Sequence, residues 1–216
     1  MSKIEITWLG HSCFKIKGKE ATVLTDPYDE SIGYTLGEPK ANIVTSSHSH
    51  PGHGFTSGIG GEPRIVHGPG EYEIAGIFIT GIGTFHDSTK GSERGKNTVY
   101  LIEMDDMRLC HLGDLGHPLT AEQAEDINGV DVMLVPVGGL STIDAATAVE
   151  TVRLLQPRIV IPMHFQTEVL HIQLAPVDRF LREMGIKAGL SPQPKFSITK
   201  AGLSEETQVV VLDYGG

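Results

Sequence analysis

Residues 45–54 read TSSHSHPGHG, and the fold is decided by what can set three imidazoles so close together. His48 and His50 are two residues apart, so in an extended segment both side chains leave the backbone on the same side. Pro51 and Gly52 supply a turn that brings His53 round toward the same point. Neutral imidazole is the commonest protein ligand for zinc and also suits iron and nickel. A lone histidine more often satisfies a local hydrogen bond. Three at i, i+2 and i+5, after the apolar strand Ile43-Val44, read as a metal site.

On the amino-terminal side, residues 4–9 (IEITWL) alternate as a strand does, a Gly10-His11-Ser12 turn follows, and 13–17 form a second strand. Residues 21–25 are a third strand, which delivers Asp26 and Pro27 at its end; 28–41 read as an irregular loop broken by Gly33, Gly37 and Pro39. On the carboxyl-terminal side, Ile65-Val66 is a short strand in a stretch punctuated by glycine and proline. His67 and Glu71, in HGPGEYEI, read as a solvated loop histidine and a turn-supporting carboxylate. Residues 74–85 form a hairpin arm ending at His86-Asp87, and the polar loop STKGSERGKN leads to a strand at 98–104. A further strand, 107–112, ends in Gly113-Asp114.

The second half changes character. Thr120 and Gln123 carry the capping signature of a short helix, and 131–137 (DVMLVPV) is an apolar strand. Asp144 caps a helix over 145–155, with Ala148, Val149, Val152 and Leu155 on one face. Residues 159–162 are a buried strand presenting His164, 177–184 a helix ending at Gly185, and 207–213 a closing strand. No linker interrupts 1–216, so the chain reads as a single α/β domain, sheet sandwiched by helices.

Composition bounds the function. The 216 residues carry a formal net charge of -10 without a basic block, which argues against a nucleic-acid partner. No apolar run is long enough to span a bilayer, so no membrane partner is expected. Cys13 and Cys110, the two cysteines, fall in strand-like segments and read as reduced core thiols, which points to the cytoplasm. His48, His50, His53, His86, Asp114 and His164 all sit where an apolar strand gives way to a loop. Together they make two ligand sets sharing one carboxylate, as a two-metal hydrolytic site requires.

In these motifs the chain resembles the metallo-β-lactamase superfamily over essentially its whole length. The family's H-x-H-x-D-H stands here as HSHPGH at 48–53, its first acidic motif as LTDPY with Asp26, and its third motif as TFHD with His86. Its bridging aspartate stands as Asp114 in HLGDLGH and its last histidine as His164 in IPMHF. The WLGHS opening looks most like the branch of ascorbate-phosphate lactonase-like and uncharacterised zinc-dependent hydrolases. The resemblance implies an αβ/βα four-layer sandwich with Zn2+ at one edge, as one or two ions, Mn2+ and Fe2+ being alternatives. It implies His48, His50 and His86 on the first ion, Asp114 bridging, and His53 with His164 on the second. Asp26 would orient a histidine through its second nitrogen. A metal-bound hydroxide would attack a small ester, lactone or phosphoester.

One departure stands out. The family's aspartate between the second and third histidines is Gly52 here, so the second ion loses a carboxylate. The alternative reading is therefore a metal-binding domain of the same fold with weak or no hydrolysis. On the substrate side, His11 either contacts substrate or caps its turn. The loop after His86 carries Lys90, Arg94 and Lys96, and as a mobile basic loop beside the site it would grip a phosphate or carboxylate, Arg94 bidentately. A solvated loop is the competing reading. The expected substrate is a small molecule with anionic character, and a homo-oligomer is left open.

Overall fold

The computed structural model describes residues 2–186 and 190–214. In chain order the strands are β1 (Lys3–Gly10), β2 (Cys13–Lys17), β3 (Thr22–Thr25), β4 (Ile43–Ser46), β5 (Arg64–His67), β6 (Gly70–Ile74) and β7 (Ile77–Phe85). They continue as β8 (Lys96–Met104), β9 (Met107–His111), β10 (Val132–Pro136), β11 (Ile159–Met163), β12 (Phe196–Thr199) and β13 (Gln208–Val209). The helices are α1 (Ala121–Ile127), α2 (Ala145–Leu155) and α3 (Val177–Glu183). Two mixed sheets result, one ordered β12-β1-β2-β3-β4-β5 and the other β13-β11-β10-β9-β8-β7-β6.

The residue pattern explains the layers. Along β1, Ile4, Ile6 and Trp8 alternate with more exposed residues, so one face turns inward. Together with Phe14, Ile16, Val23 and Ile43 they join Tyr100, Leu101 and Leu134 of the second sheet in one apolar cluster. β10 (VMLVP) and β11 (IVIPM) are buried at every position and pair in parallel, the signature of strands covered on both faces. One covering layer is helical. α2 puts Ala145, Ala148, Val149, Val152 and Leu155 into the same cluster and packs against α1 and α3. The Thr120 capping box starts α1, and the Asp144 carboxylate accepts the Thr147 N–H at the start of α2.

The α/β sandwich is as expected, with a difference in its fourth layer. The outer face of the first sheet, bearing Cys13, Leu24 and Val44, is covered by Tyr28, Ile32, Tyr34, Ile59, Leu170 and Leu174. These residues come from loops and a single 3-10 turn at Glu30–Ile32, so among the described residues packed loops stand where a helix layer would.

Other expectations shift in detail. His67 ends β5 and Glu71 lies on β6, both exposed, because 70–85 fold as a hairpin about Ala75-Gly76 rather than as a loop before an arm. The closing strand shrinks to Gln208–Val209 beside β11, extended by isolated bridges at Leu212 and Tyr214. β12, which is not among the strands expected from the sequence, returns to pair antiparallel with β1. Cys13 and Cys110 are buried free thiols, and burial pushes Cys110 up to about 12.

Candidate metal centre

The parallel strands of both sheets end on one side of the molecule, and their carboxyl ends carry the polar residues. Asp26 follows β3 and His164 follows β11, while the turn after β1 presents His11. All three have left-handed backbones, with φ of 39°, 51° and 53°. A non-glycine residue rarely sits there, and each is held by its surroundings. The Asp26 N–H donates to the Thr45 carbonyl (2.8 Å), and the His164 N–H donates to the His11 carbonyl (3.1 Å). That carbonyl also accepts the Trp8 indole N–H at 3.0 Å. After β4, the N–H groups of His53 and Gly54 both donate to the His50 carbonyl, closing the histidine turn. Gly113 has φ of 55°, and a Cβ there would collide with Asn97 Oδ1 and Ser47, so glycine is required just before Asp114.

Asp114 is the point of convergence. Its Oδ2 lies 3.1 Å from His53 Nε2, 3.1 Å from His86 Nε2 and 3.4 Å from His164 Nε2. Second nitrogens are held from behind. His53 Nδ1 meets Asp26 Oδ2 at 2.9 Å, His86 Nδ1 donates to the Ser141 carbonyl at 2.9 Å, and His48 Nδ1 meets Ser47 Oγ at 3.0 Å. Asp26 is itself fixed by the Ser47 N–H (2.8 Å) and hydroxyl (2.6 Å). Three groups offer ligand atoms all within 4.8 Å of one another: His48-His50-His53, His48-His86-Asp114 and His11-His53-His164.

The electrostatics draw positive charge toward Asp114. Burial would raise Asp114, yet the imidazoles of His164 and His53 hold its carboxyl well below the ordinary range. Burial opposes charge on His53, but Asp114 and Asp26 outweigh it and push that imidazole up to about 10. Burial, reinforced by His53, brings His48 down to about 4. Burial and then His164 and His53 keep His11 well below its usual value. Buried His48 Nε2 and Asp114 Oδ1 have no hydrogen-bond partner. Unpartnered buried polar atoms on converging side chains are what a metal ion would satisfy, so the residues fit the group.

His48, His50, His53, His86, Asp114 and His164 are therefore brought together, with Asp26 behind them. His11, expected at the substrate or as a turn cap, lines the cleft over the centre and packs its ring against His164 and His53, at centroid distances of 4.2 and 4.8 Å. Of the basic loop, Arg94 lines the cleft of about 550 Å3 that opens over the centre, whereas Lys90 is exposed and outside that lining. The loop is not a free tip either. The Asp87 carboxylate accepts the backbone N–H groups of Thr89, Gly91, Glu93 and Arg94 and the Thr89 hydroxyl, which ties it down. Ser47, Asn97 and Ser141 escape the sequence reading because serine and asparagine carry no distinctive spacing. Leu140, 72% exposed at φ 63°, and Ile172 form an apolar rim to the same cleft.

Comparison with known proteins agrees with this geometry. A family profile described as Beta-lactamase superfamily domain matches residues 5–164. A crystal structure from Thermotoga maritima, of a protein whose name proposes a Zn-dependent hydrolase of the metallo-β-lactamase superfamily, is similar at 36% identity and a TM-score of 0.81. The match covers 98% of this chain and 100% of that one. A Pyrococcus horikoshii protein named UPF0173 metal-dependent hydrolase is 27% identical, over 76% of this chain and 85% of its own. A relative of the same description from Thermoplasma acidophilum is 28% identical, over 77% and 85%. The span of the profile match runs from β1 to His164 and so encloses every residue of the centre.

Proposed function

Because the chain belongs to the metallo-β-lactamase superfamily, we propose that it is a metal-dependent hydrolase acting on a small anionic ester, lactone or phosphoester. The observation that carries this reading is the convergence of three imidazoles on Asp114 Oδ2, with His48 Nε2 and Asp114 Oδ1 left unpartnered beside them. His48, His50, His86 and Asp114 would hold one ion, and His53, His164 and Asp114 would hold a second. Zinc suits this nitrogen-rich set best, with Fe2+ next and Mn2+ third. An ion there would supply Lewis acidity, letting water ionise near pH 7 and polarising the oxygen that gains charge.

The chain's own residues do the rest. Asp26, Ser141 and Ser47 hold the second nitrogens of His53, His86 and His48, so the rings cannot swing away from the centre. Asp114, its carboxyl kept ionised by the imidazoles around it, would present that charge to the ion. Arg94 lines the cleft and would pair with a carboxylate or phosphate on the substrate, while Leu140 and Ile172 would cover an apolar part and exclude water.

The test is to load dialysed protein with Zn2+, Mn2+ or Fe2+ and screen esters, lactones and phosphodiesters. Metal-dependent turnover is expected, faster on anionic members of each class. Arg94→Ala should raise KM for those members several-fold more than for neutral ones, and added salt should narrow the gap. Tight metal binding without turnover in any class would leave the metal-binding domain as the reading.

A further inference from the structure

Gly52 and His11 belong together. The Gly52 backbone lies outside the left-handed region, so no turn geometry there demands glycine. Its lack of a side chain leaves room for something else. A Cβ at Gly52 would lie 3.3 Å from His11 Nε2 and 3.2 Å from His50 Nδ1, closer than ordinary van der Waals contact. The ring of His11, which enters from the β1–β2 turn, lies against the place where a side chain at position 52 would begin.

His11 Nε2 is aimed at the centre. It stands 3.2 Å from His53 Nε2, and His53 Nε2 stands 3.1 Å from Asp114 Oδ2, which in turn lies 3.4 Å from His164 Nε2. Tetrahedral zinc with bonds of about 2.0–2.1 Å to nitrogen and oxygen separates neighbouring ligand atoms by about 3.3 Å. These three separations are those of neighbouring ligand atoms, and the ligand atoms of His11, His53 and His164 all lie within 4.8 Å of one another. The ring is buried, Nδ1 has no partner, and the left-handed backbone at His11 is anchored through its carbonyl to Trp8 and His164.

We propose that His11 is a ligand of the second ion and replaces the carboxylate expected at position 52, completing a set of His11, His53, His164 and Asp114. This rests on the metal-centre reading of the proposed function. The exchange puts a neutral imidazole where a negative charge would be. The ion keeps more of its positive charge, and the set favours Zn2+ over the oxygen-preferring Mn2+. An aspartate at 52 would crowd the ring at 11, so the bare Gly52 and the placement of His11 fit each other.

The experiment titrates ZnCl2 into chelator-treated, dialysed protein by calorimetry, with Co2+ absorption spectra as a second reading of ligand number. Wild type should take two equivalents. His11→Asn, chosen because asparagine tolerates a left-handed backbone, should keep the first equivalent, which also shows that it folds. Its second should weaken on the order of 10–100-fold or more. Adding Gly52→Asp to His11→Asn should restore the second equivalent, whereas Gly52→Asp alone should not improve on wild type. Two unchanged equivalents in His11→Asn would overturn the inference, as would a single equivalent in wild type. Wild type that binds no Zn2+ would instead remove the metal-centre reading itself.

Discussion

Asp114 gathers more of the centre than any other residue, and its backbone shows why it can. Gly113 gives the sharp bend before it, and the Asp114 N–H donates to Asn97 Oδ1 at 2.9 Å. The carboxylate is thus aimed before any ion arrives. Asp114→Asn keeps the shape and removes one negative charge from a cluster of neutral and cationic imidazoles. Metal content is expected to fall, with affinity lost on the order of 100-fold, and hydrolysis to fall further than for any single histidine variant. Elemental analysis and kcat/KM against His86→Ala and His164→Ala check this; wild-type metal content in Asp114→Asn would reduce Asp114 to a turn cap. His11 marks the limit of sequence reading at this scale. Its neighbour His53 is 42 positions away, and the two meet beside the bare Gly52, so no local spacing announces the contact.

The elements that position the centre differ in how openly the sequence declares them. β10 and β11 are continuous apolar runs and α2 combines an Asp144 cap with a repeating apolar face, so each carries its own signal. β12 has four half-buried residues and exists because β1 offers an edge, which is a tertiary cause. The loop after His86 is the sharper miss. Its glycines suggest mobility, but its order comes from backbone N–H groups turned toward Asp87, and backbone donors leave no mark in a sequence. Asp87→Ala should therefore speed amide exchange over 89–94 and raise KM for anionic substrates as Arg94→Ala does, with kcat little changed. Unaltered exchange would show that the tether is not what orders the loop. For α2 the expectation concerns pH. The Thr147 N–H holds Asp144 below its ordinary 3.8, so the stabilisation is present above that value and lost as pH falls through the lower folded-state pKa. Asp144→Ala should cost about 1 kcal/mol at pH 7, and the difference from wild type should shrink in acid. A difference that stays constant down to pH 2 would show that the charge plays no part in the cap.

At the scale of the molecule, the centre is shared between the sheets. His11, Asp26, His48, His50 and His53 follow strands of the first, and His86, Asp114 and His164 follow strands of the second. An ion held by both binds the folded arrangement and has no counterpart in the unfolded chain. Zinc at about a thousand times its Kd would add about 4 kcal/mol. For a chain of this length that corresponds to a Tm roughly 10 °C higher than after chelation. Calorimetric scans of loaded and chelated protein measure it, and coincident scans would mean that the ion does not bridge the sheets.

The left-handed backbones at His11, Asp26 and His164 carry a further consequence, for anyone selecting sturdier variants. Glycine or asparagine would sit there with less strain, so a screen that rewards heat resistance alone would favour losing these side chains. Such a screen would return robust proteins stripped of their chemistry, and the three positions should be held fixed in any library built on this scaffold.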